Sequence, residues 1–175
     1  MKLLVLSDNH GQYDYVKSLI AKYRPNVDFI IHCGDSEFRP DDPIWQSVDV
    51  VVKGNMDFYP AYSDQEVLET PYGKLFITHG HLYQVNWSDE GLRHAANQVG
   101  ASIVLHGHTH CLRVTRYSDC TLINPGSVSR SRGAYPDSTY ALISLNESGV
   151  TVDYYNLKHE KIIELSQQFE WNEGE

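Results

Sequence analysis

Long apolar runs are absent from this sequence of 175 residues. The first apolar stretch covers only residues 3–6 before Ser7 and Asp8 interrupt it, and no later stretch would serve better. A membrane-spanning helix needs about 20 consecutive apolar residues, and the core of a secretion signal needs about 7–15. The sequence therefore predicts neither a membrane span nor a signal peptide.

Cysteine and basic residues are also scarce. Cys33, Cys111 and Cys120 form no Cys-x-x-Cys pair, and an odd number predicts free thiols in a reducing compartment, the cytoplasm. Lys and Arg total 14 against 23 Asp and Glu, a net charge of −9. Because nucleic-acid affinity depends on clustered cations, no nucleic-acid partner is expected. The composition leaves the oligomeric state open.

What the sequence does contain is a series of short apolar segments rich in β-branched residues. Residues 3–6, 27–31, 48–52, 75–78 and 103–105 are typical of strands buried on both faces. Between the first two, residues 13–24 place apolar side chains at helical spacing and stop at Pro25. This pattern predicts a strand-helix-strand unit with parallel strands and a right-handed crossover. A second helix is predicted over residues 89–99, before Gly100.

The C-terminal third has a different pattern. Residues 113–117, 121–123, 139–144, 150–155 and 161–165 are predicted strands separated by short turns, which favour antiparallel hairpins. No linker or repeat divides the chain. We therefore expect an α/β fold, a two-sheet α/β sandwich, in a single domain over residues 1–168, followed by a flexible tail over 169–175.

Polar side chains follow each of the five N-terminal strands. Any single cluster is more readily explained as a turn or a cap, but ligands of open α/β sheets bind beyond the carboxyl ends of the strands. Five successive clusters of Asp, Asn and His therefore predict one shared site. In chain order they are Asp8 and His10; Gly34 and Asp35; Gly54, Asn55, Met56 and Asp57; His79, Gly80 and His81; and His106, Gly107, His108, Thr109 and His110.

The residue types in these clusters indicate a metal site. Two carboxylates, an amide and several imidazoles suit Mn²⁺, Fe²⁺ or Zn²⁺ better than Ca²⁺, and a structural zinc site would use cysteine. Seven donors exceed what one four-coordinate ion needs, so two divalent ions are predicted, with manganese favoured and iron, zinc or nickel as alternatives. Two such ions on two carboxylates leave a positive site that would attract a phosphate ester anion.

The same residues resemble a known family. The five clusters, in this order, are similar to the signature of the calcineurin-like metallophosphoesterases, and the sequence 124–128, Asn-Pro-Gly-Ser-Val, resembles their small prokaryotic YfcE-type phosphodiesterase branch. The resemblance implies a metal-dependent phosphodiesterase in which a metal-bound hydroxide attacks the phosphorus of a small phosphate ester.

It also implies a division of the ligands. Asp8, His10, Asp35 and His110 would hold one ion, and Asp35 would bridge to a second ion held by Asn55, His79 and His108. Asn55 would also contact a phosphate oxygen of the substrate.

One position departs from the larger superfamily, where a histidine normally stands between the asparagine and the acid. Here that position is Met56, whose thioether cannot protonate a leaving group. The departure favours a phosphodiesterase over the alternative, a phosphomonoesterase. His81 is a candidate replacement donor or, equally, a packing group beside the site. A further alternative is a non-catalytic metal-binding scaffold, since the retromer scaffold subunit resembles this branch, but its metal site is eroded and all seven ligand positions are filled here.

Overall fold

Eleven strands form two sheets in the computed structural model, which describes residues 1–171. In chain order the strands are β1 (Lys2–Leu6), β2 (Phe29–His32), β3 (Val50–Val51), β4 (Gln65–Thr70), β5 (Gly73–Thr78), β6 (Ala101–Leu105), β7 (Arg113–Arg116), β8 (Thr121–Asn124), β9 (Thr139–Asn146), β10 (Gly149–Asn156) and β11 (Gln167–Phe169). One sheet has the order β11-β10-β9-β1-β2-β3 and the other β4-β5-β6-β8-β7. The predicted two-sheet α/β sandwich is confirmed.

Parallel pairing aligns the strands that precede the polar clusters. β1 pairs with β2 and β2 with β3 in parallel, and so do β5 with β6 and β6 with β8. Helix α1 (Tyr13–Tyr23) connects β1 to β2, and helix α2 (Glu90–Val99) connects β5 to β6. Every helix within residues 1–171 is too short and too polar to span a bilayer.

The core explains why these strands are apolar along their whole length. Between the sheets, Leu3 and Val5 of β1 pack with Leu75 of β5, Ile103 of β6 and Ile123 of β8. The alternate residues face outward and are covered by the helices. Both faces of the central strands are therefore buried, as a nearly continuous apolar run predicts.

The prediction of a strand over residues 161–165 is wrong. Lys161 makes only an isolated bridge to Tyr155, and Ile163–Leu165 form a 3-10 turn. Ile162 packs into the core while Ile163 is exposed, so the apolar pattern reflects a single anchoring residue rather than a strand. Two strands lacked an apolar pattern and were not predicted: β4, whose side chains are mostly exposed, and β11.

The C-terminal boundary also differs from the expectation. Phe169 ends β11 and lies opposite Val150, and the indole of Trp171 donates a hydrogen bond to the carbonyl of Asn146 at 2.8 Å. The predicted division between residues 168 and 169 therefore falls inside a paired strand. Positions 172–175 of the predicted tail lie outside the described residues.

The turn after β8 joins the C-terminal third to the end of β1. The Ser127 hydroxyl donates to the carbonyl of Asp8 at 2.8 Å, and the amide of Val128 donates to the carbonyl of Ser7 at 3.1 Å. The chain then enters β9, which pairs antiparallel with β1 in the middle of the first sheet. Residues from both ends of the chain thus position the first polar cluster.

Candidate metal centre

The carboxyl ends of β1, β2, β3, β5 and β6 meet at one edge of the sandwich. The loops there bind one another directly: the amide of Asp8 donates to the carbonyl of Gly34 at 3.0 Å, and the amide of Gly107 to the carbonyl of His79 at 3.1 Å. The amide of His108 donates to Asp8 Oδ2 at 3.1 Å. The five clusters therefore form a single site.

A first donor group consists of Asp8, His10 and His110, whose ligand atoms lie within 4.8 Å of one another. His110 Nε2 is 3.2 Å from Asp8 Oδ1 and 3.2 Å from His10 Nε2. Within the part of the chain that the structure describes, Asp8 Oδ1 is buried and has no hydrogen-bond partner. Two imidazole nitrogens and a buried carboxylate oxygen thus face a common point.

A second donor group consists of Asp8, Asp35 and His79. His79 Nε2 lies 3.3 Å from Asp35 Oδ2, 3.8 Å from Asp8 Oδ1 and 3.2 Å from the amide oxygen of Asn55. Asp35 Oδ2 is also 3.8 Å from His10 Nε2 of the first group. The two groups therefore share Asp8, and the carboxylate of Asp35 also comes near a member of each group.

Three of the histidines are held through their other ring nitrogen. Nδ1 of His79 is 2.8 Å from the carbonyl of Cys33, and Nδ1 of His110 is 2.9 Å from the carbonyl of Arg130. His10 Nδ1 contacts Glu37 Oε1 at 2.7 Å. Because a carbonyl only accepts, His79 and His110 must carry a proton on Nδ1. A neutral ring then has its lone pair on Nε2, which is how histidines at metal sites are commonly oriented.

The charges of the two buried carboxylates are stabilised by these histidines. Burial opposes ionisation of Asp8, but His110 and His79 more than offset it and lower its pKa. Burial likewise opposes ionisation of Asp35, while His79 and the amide of Met56 lower its pKa to about 2. In return, although burial disfavours its charge, the two carboxylates raise the pKa of His79.

The backbone is strained where the ligands lie. Non-glycine residues rarely adopt a positive φ, because the side chain then crowds the backbone. Such strain concentrates at functional sites, where the surrounding fold holds it in place. Five of the seven predicted ligands have a left-handed backbone: Asp8 (54°), His10 (43°), Asp35 (54°), His108 (69°) and His110 (57°).

Asp57 fixes the loops that carry Asp35 and Asn55. Its carboxylate accepts the amide of Asp35 at 2.8 Å, that of Glu37 at 2.7 Å and that of Gly54 at 2.8 Å. A side chain at Gly54 would place its Cβ 2.0 Å from Asp35 Oδ1. The glycine therefore lets the third cluster approach the carboxylate of Asp35 closely.

His108 is close to the groups but belongs to neither. Its ring lies edge-on to that of His79, with centroids 5.1 Å apart, and its Nε2 accepts a hydrogen bond from the amide of Asn86 at 2.9 Å. Burial, followed by the nearby His79, lowers the pKa of His108. Its ring nitrogen thus points to Asn86 rather than to the shared carboxylates.

His81 and Met56 flank the second group. The His81 ring is 5.3 Å from that of His79 and 6.1 Å from that of His108, and its Nδ1 is buried without a hydrogen-bond partner among residues 1–171. Burial, and then the charge of His79, lower the pKa of His81. Met56 donates its amide to Asp35 Oδ1 at 2.7 Å and leaves its side chain exposed.

The donors fit divalent metal ions. Carboxylate oxygens, an amide oxygen and imidazole nitrogens converge, and the buried Asp8 Oδ1 has no hydrogen-bond partner among the described residues. Cys33 adjoins the site, but burial strongly raises the pKa of its thiol and its carbonyl, not its sulfur, contacts His79. The set is therefore one of oxygen and nitrogen ligands without thiolate.

Several supporting residues were not predicted from the sequence. Glu37 orients His10, Asn86 contacts His108, and Asn124 donates its side-chain amide to the carbonyl of Gly107 at 2.9 Å. Glu37 and Asn86 lie in no cluster with an obvious chemical role, and their only signal in the sequence is a position close to a motif. Asn124 ends β8 and begins the sequence 124–128 that resembles the YfcE-type branch, but its contact with Gly107 was not predicted.

Comparison with known proteins identifies the family. The model of the calcineurin-like phosphoesterase superfamily domain matches residues 1–148. The probable metallophosphoesterase YsnB of Bacillus subtilis is 31% identical over 168 residues, which cover 96% of this chain and 98% of that protein. Both matches span every predicted ligand.

Two solved structures are similar in fold to this chain. A conserved Streptococcus pneumoniae protein described as a predicted phosphoesterase is 37% identical, with a TM-score of 0.92 and 97% of each chain covered. Yfce, a phosphoesterase from E. coli, shares the fold at 21% identity with a TM-score of 0.69, over 98% of this chain and all of that one. The chain is therefore a member of the calcineurin-like phosphoesterase superfamily, and its relative from Bacillus subtilis is named a probable metallophosphoesterase.

Proposed function

We propose that the protein is a phosphodiesterase that uses two divalent metal ions, with manganese preferred, and acts on a small phosphate ester in the cytoplasm. The observation that carries the proposal is the position of Asp35 Oδ2, 3.8 Å from His10 Nε2 and 3.3 Å from His79 Nε2. One carboxylate oxygen within reach of both donor groups is what a shared ligand requires.

In this proposal the ligands divide as the family signature implies. Asp8, His10 and His110 hold one ion with Asp35, and Asn55, His79 and His108 hold the other with the same carboxylate. The approach of His10 Nε2 to His110 Nε2 at 3.2 Å and of His79 Nε2 to Asp35 Oδ2 at 3.3 Å supports this division. His108 would join the second ligand set by giving up the hydrogen bond that its Nε2 accepts from the side chain of Asn86.

Bound divalent ions would activate a water molecule and neutralise charge on the phosphate group. The side chains of this protein would orient the ester. Asn55 directs its amide oxygen toward His79, which leaves its NH₂ group to donate to a phosphate oxygen.

Hydrolysis forms a bond from the water oxygen to phosphorus and breaks the bond from phosphorus to the leaving oxygen, which then needs a proton. Met56 has none to give. His81 is an imidazole near the second group that the proposed ligand set does not use, and we assign it as the donor where one is required. Weak acid assistance favours diesters with good leaving groups over monoesters, whose hydrolysis benefits from a dedicated acid.

The test is to compare an aryl phosphodiester with the matching aryl phosphomonoester under Mn²⁺, with bound metal counted by elemental analysis. We expect about two ions per chain, faster turnover of the diester and loss of activity after chelation. Faster monoester turnover would support the phosphomonoesterase instead. Two bound ions with no hydrolysis of any ester class would support the non-catalytic scaffold.

A further inference from the structure

Large apolar side chains are exposed next to the second donor group. They belong to Met56, Phe58, Tyr59, Leu82 and Trp87, which we call the aromatic rim. Trp87 is 88% exposed and Phe58 79% exposed. Exposure of such large apolar groups is unfavourable, and contiguous apolar patches on a protein surface mark binding sites.

The rim comes from two segments, and each is joined to a proposed ligand. Residues 56–59 directly follow Asn55, and the amide of Met56 is bonded to Asp35 Oδ1 at 2.7 Å. Residues 82–87 follow the cluster that contains His79, and Asn86, next to Trp87, contacts the ring of His108 at 2.9 Å. Both segments thus start from the second donor group.

The chain that flanks these two segments is also connected. The hydroxyl of Thr78 donates to the carbonyl of Asp64 at 3.0 Å, and the hydroxyl of Tyr83 donates to the side chain of Gln65. The end of the loop that follows β3 is therefore bonded to the end of β5 and to Tyr83 in the loop after it.

Apolar exposure elsewhere is isolated. In the described residues 1–171, the remaining exposed large apolar side chains are Val67, on the edge strand β4, and Ile163, in the 3-10 turn. Neither adjoins a proposed ligand in sequence. The concentration of exposed apolar side chains next to the second donor group therefore favours a role in binding the molecule that this group holds.

The chemistry of the rim restricts its occupant. Residues 56–59 and 82–87 contain no Lys or Arg, and the one carboxylate among them, Asp57, is buried and accepts backbone amides. The rim therefore has no charge to offer an anionic group. The rings of Phe58, Tyr59 and Trp87 instead suit a planar uncharged group, because aromatic pairs gain stabilisation beyond the area they bury.

We propose that the aromatic rim is a subsite for an aromatic substituent on the phosphate ester, such as a nucleobase or phenyl ring on the oxygen that is not the leaving group. This inference rests on the proposed function, since the metal centre must hold the phosphate for its substituent to reach the rim. It adds a substrate class, aromatic diesters, that the ligand set does not specify.

The experiment uses three diesters with the same 4-nitrophenyl leaving group and a methyl, benzyl or cyclohexylmethyl second substituent. The methylene spacer keeps intrinsic reactivity similar, and the cyclohexyl ring matches benzyl in size without being aromatic. For the manganese-loaded protein we expect kcat/KM about tenfold higher for benzyl than for methyl, with cyclohexylmethyl in between. Equal values for benzyl and cyclohexylmethyl would overturn the aromatic assignment.

Variants then locate the subsite. Trp87→Ala and Phe58→Ala should each reduce the benzyl-to-methyl ratio several-fold, whereas Ile163→Ala, a matched change at another exposed apolar residue, should leave it unchanged. The ratio is measured within one protein, so it is insensitive to losses of metal or of folded protein that affect both esters. A ratio unaffected by either rim variant would overturn the proposal.

A binding measurement separates this proposal from the proposed function. Benzylphosphonate should bind the manganese-loaded protein at least fivefold more tightly than methylphosphonate, measured calorimetrically, and Trp87→Ala should remove the difference. If no diester is hydrolysed but this preference is present, the phosphodiesterase function fails and the subsite stands. If diesters are hydrolysed and the preference is absent, the subsite fails alone.

Discussion

Asp57 holds the backbone of Asp35 by accepting its amide hydrogen at 2.8 Å. The same oxygen accepts the amide of Gly54, and the other oxygen accepts that of Glu37. One carboxylate therefore connects the loop of the shared ligand Asp35 to the loop of Asn55. Asp57 is therefore a positioning residue, because its buried carboxylate holds the backbone of both loops in place.

Asp57→Asn should weaken both the fold and the site. An amide has one acceptor oxygen in place of two and presents its NH₂ group to backbone amides, so buried donors lose their partners. We expect a loss of about 1–3 kcal/mol in the free energy of unfolding, together with weaker metal binding. Urea unfolding and metal titration check this. Asp41→Asn, at a 70% exposed carboxylate, is the control, and equal effects of the two changes would contradict the role of Asp57.

Asp35→Asn tests the shared ligand. Because Asp35 Oδ2 lies within 3.8 Å of a histidine nitrogen in each donor group, its loss should weaken the binding of both ions and remove most activity. His10→Ala should weaken the binding of one ion only. Elemental analysis after dialysis is expected to give less metal for Asp35→Asn than for His10→Ala. Circular dichroism verifies that each variant is folded. A folded Asp35→Asn protein that keeps two ions and most of its activity would rule out the shared position.

His32 predicts a specific dependence of stability on pH. Complete burial lowers its pKa to about 4 from 6.5, despite the nearby carboxylate of Asp57. Between these values the unfolded chain binds more protons than the folded one, so the free energy of unfolding rises with pH. The contribution is complete above pH 6.5 and is lost as pH falls toward 4. Its size is at most roughly 3 kcal/mol.

The measurement is urea unfolding of the chelated protein across this range, with NMR titration of the histidine rings. The His32 ring should stay neutral well below pH 6, while the histidine rings of the urea-unfolded protein serve as the reference. His106, whose pKa burial lowers to about 3, acts in the same direction. A His32 resonance that titrates with the rings of the unfolded protein would refute the prediction.

Met56 predicts a steep dependence of rate on the leaving group. Without an acid at this position, the leaving oxygen departs largely unprotonated, so phenol esters should react far faster than alkyl esters. Met56→His should flatten the dependence and speed alkyl esters, by no more than the roughly 10²–10⁴-fold typical of general-acid catalysis. Met56→Leu is the matched control. Rates for a series of substituted phenyl esters give the slope.

A shallow slope in the unmodified protein would show that another group already supplies the proton. His81→Ala should then steepen the slope if His81 is that donor. A slope unchanged by His81→Ala would leave His81 as a packing group beside the second donor group, the other role that the sequence permits.

The strand ends were predictable because two simple constraints coincide there. Central strands are apolar on both faces, and the residues that end them must be polar to serve the site, so Leu75–Thr78 followed by His79 is visible without a structure. β4 has no such contrast, since its side chains are exposed at a sheet edge. Its pairing with β5 depends on backbone hydrogen bonds, which leave no pattern in side-chain polarity.

The supporting contacts were less accessible for a related reason. Glu37 contacts His10 where both residues have a left-handed backbone, and the side chain of Asn86 reaches His108 from a separate loop. Such contacts depend on the path of the loops in three dimensions. The sequence indicates which residues can bind metal, but not which neighbours orient them.

The position of β9 has a consequence for how the protein matures. All seven proposed ligands lie within residues 8–110, yet β1 has β2 on one side and β9, residues Thr139–Asn146, on the other. The carbonyl of Asp8 also accepts a hydrogen bond from the hydroxyl of Ser127, which is synthesised after every proposed ligand. During synthesis, all seven proposed ligands leave the ribosome before β9 does. At that stage the sheet that carries the first ligands still lacks the strand that pairs with β1. The sheet that supports the proposed ligands is therefore complete only after the C-terminal third has emerged and paired with β1.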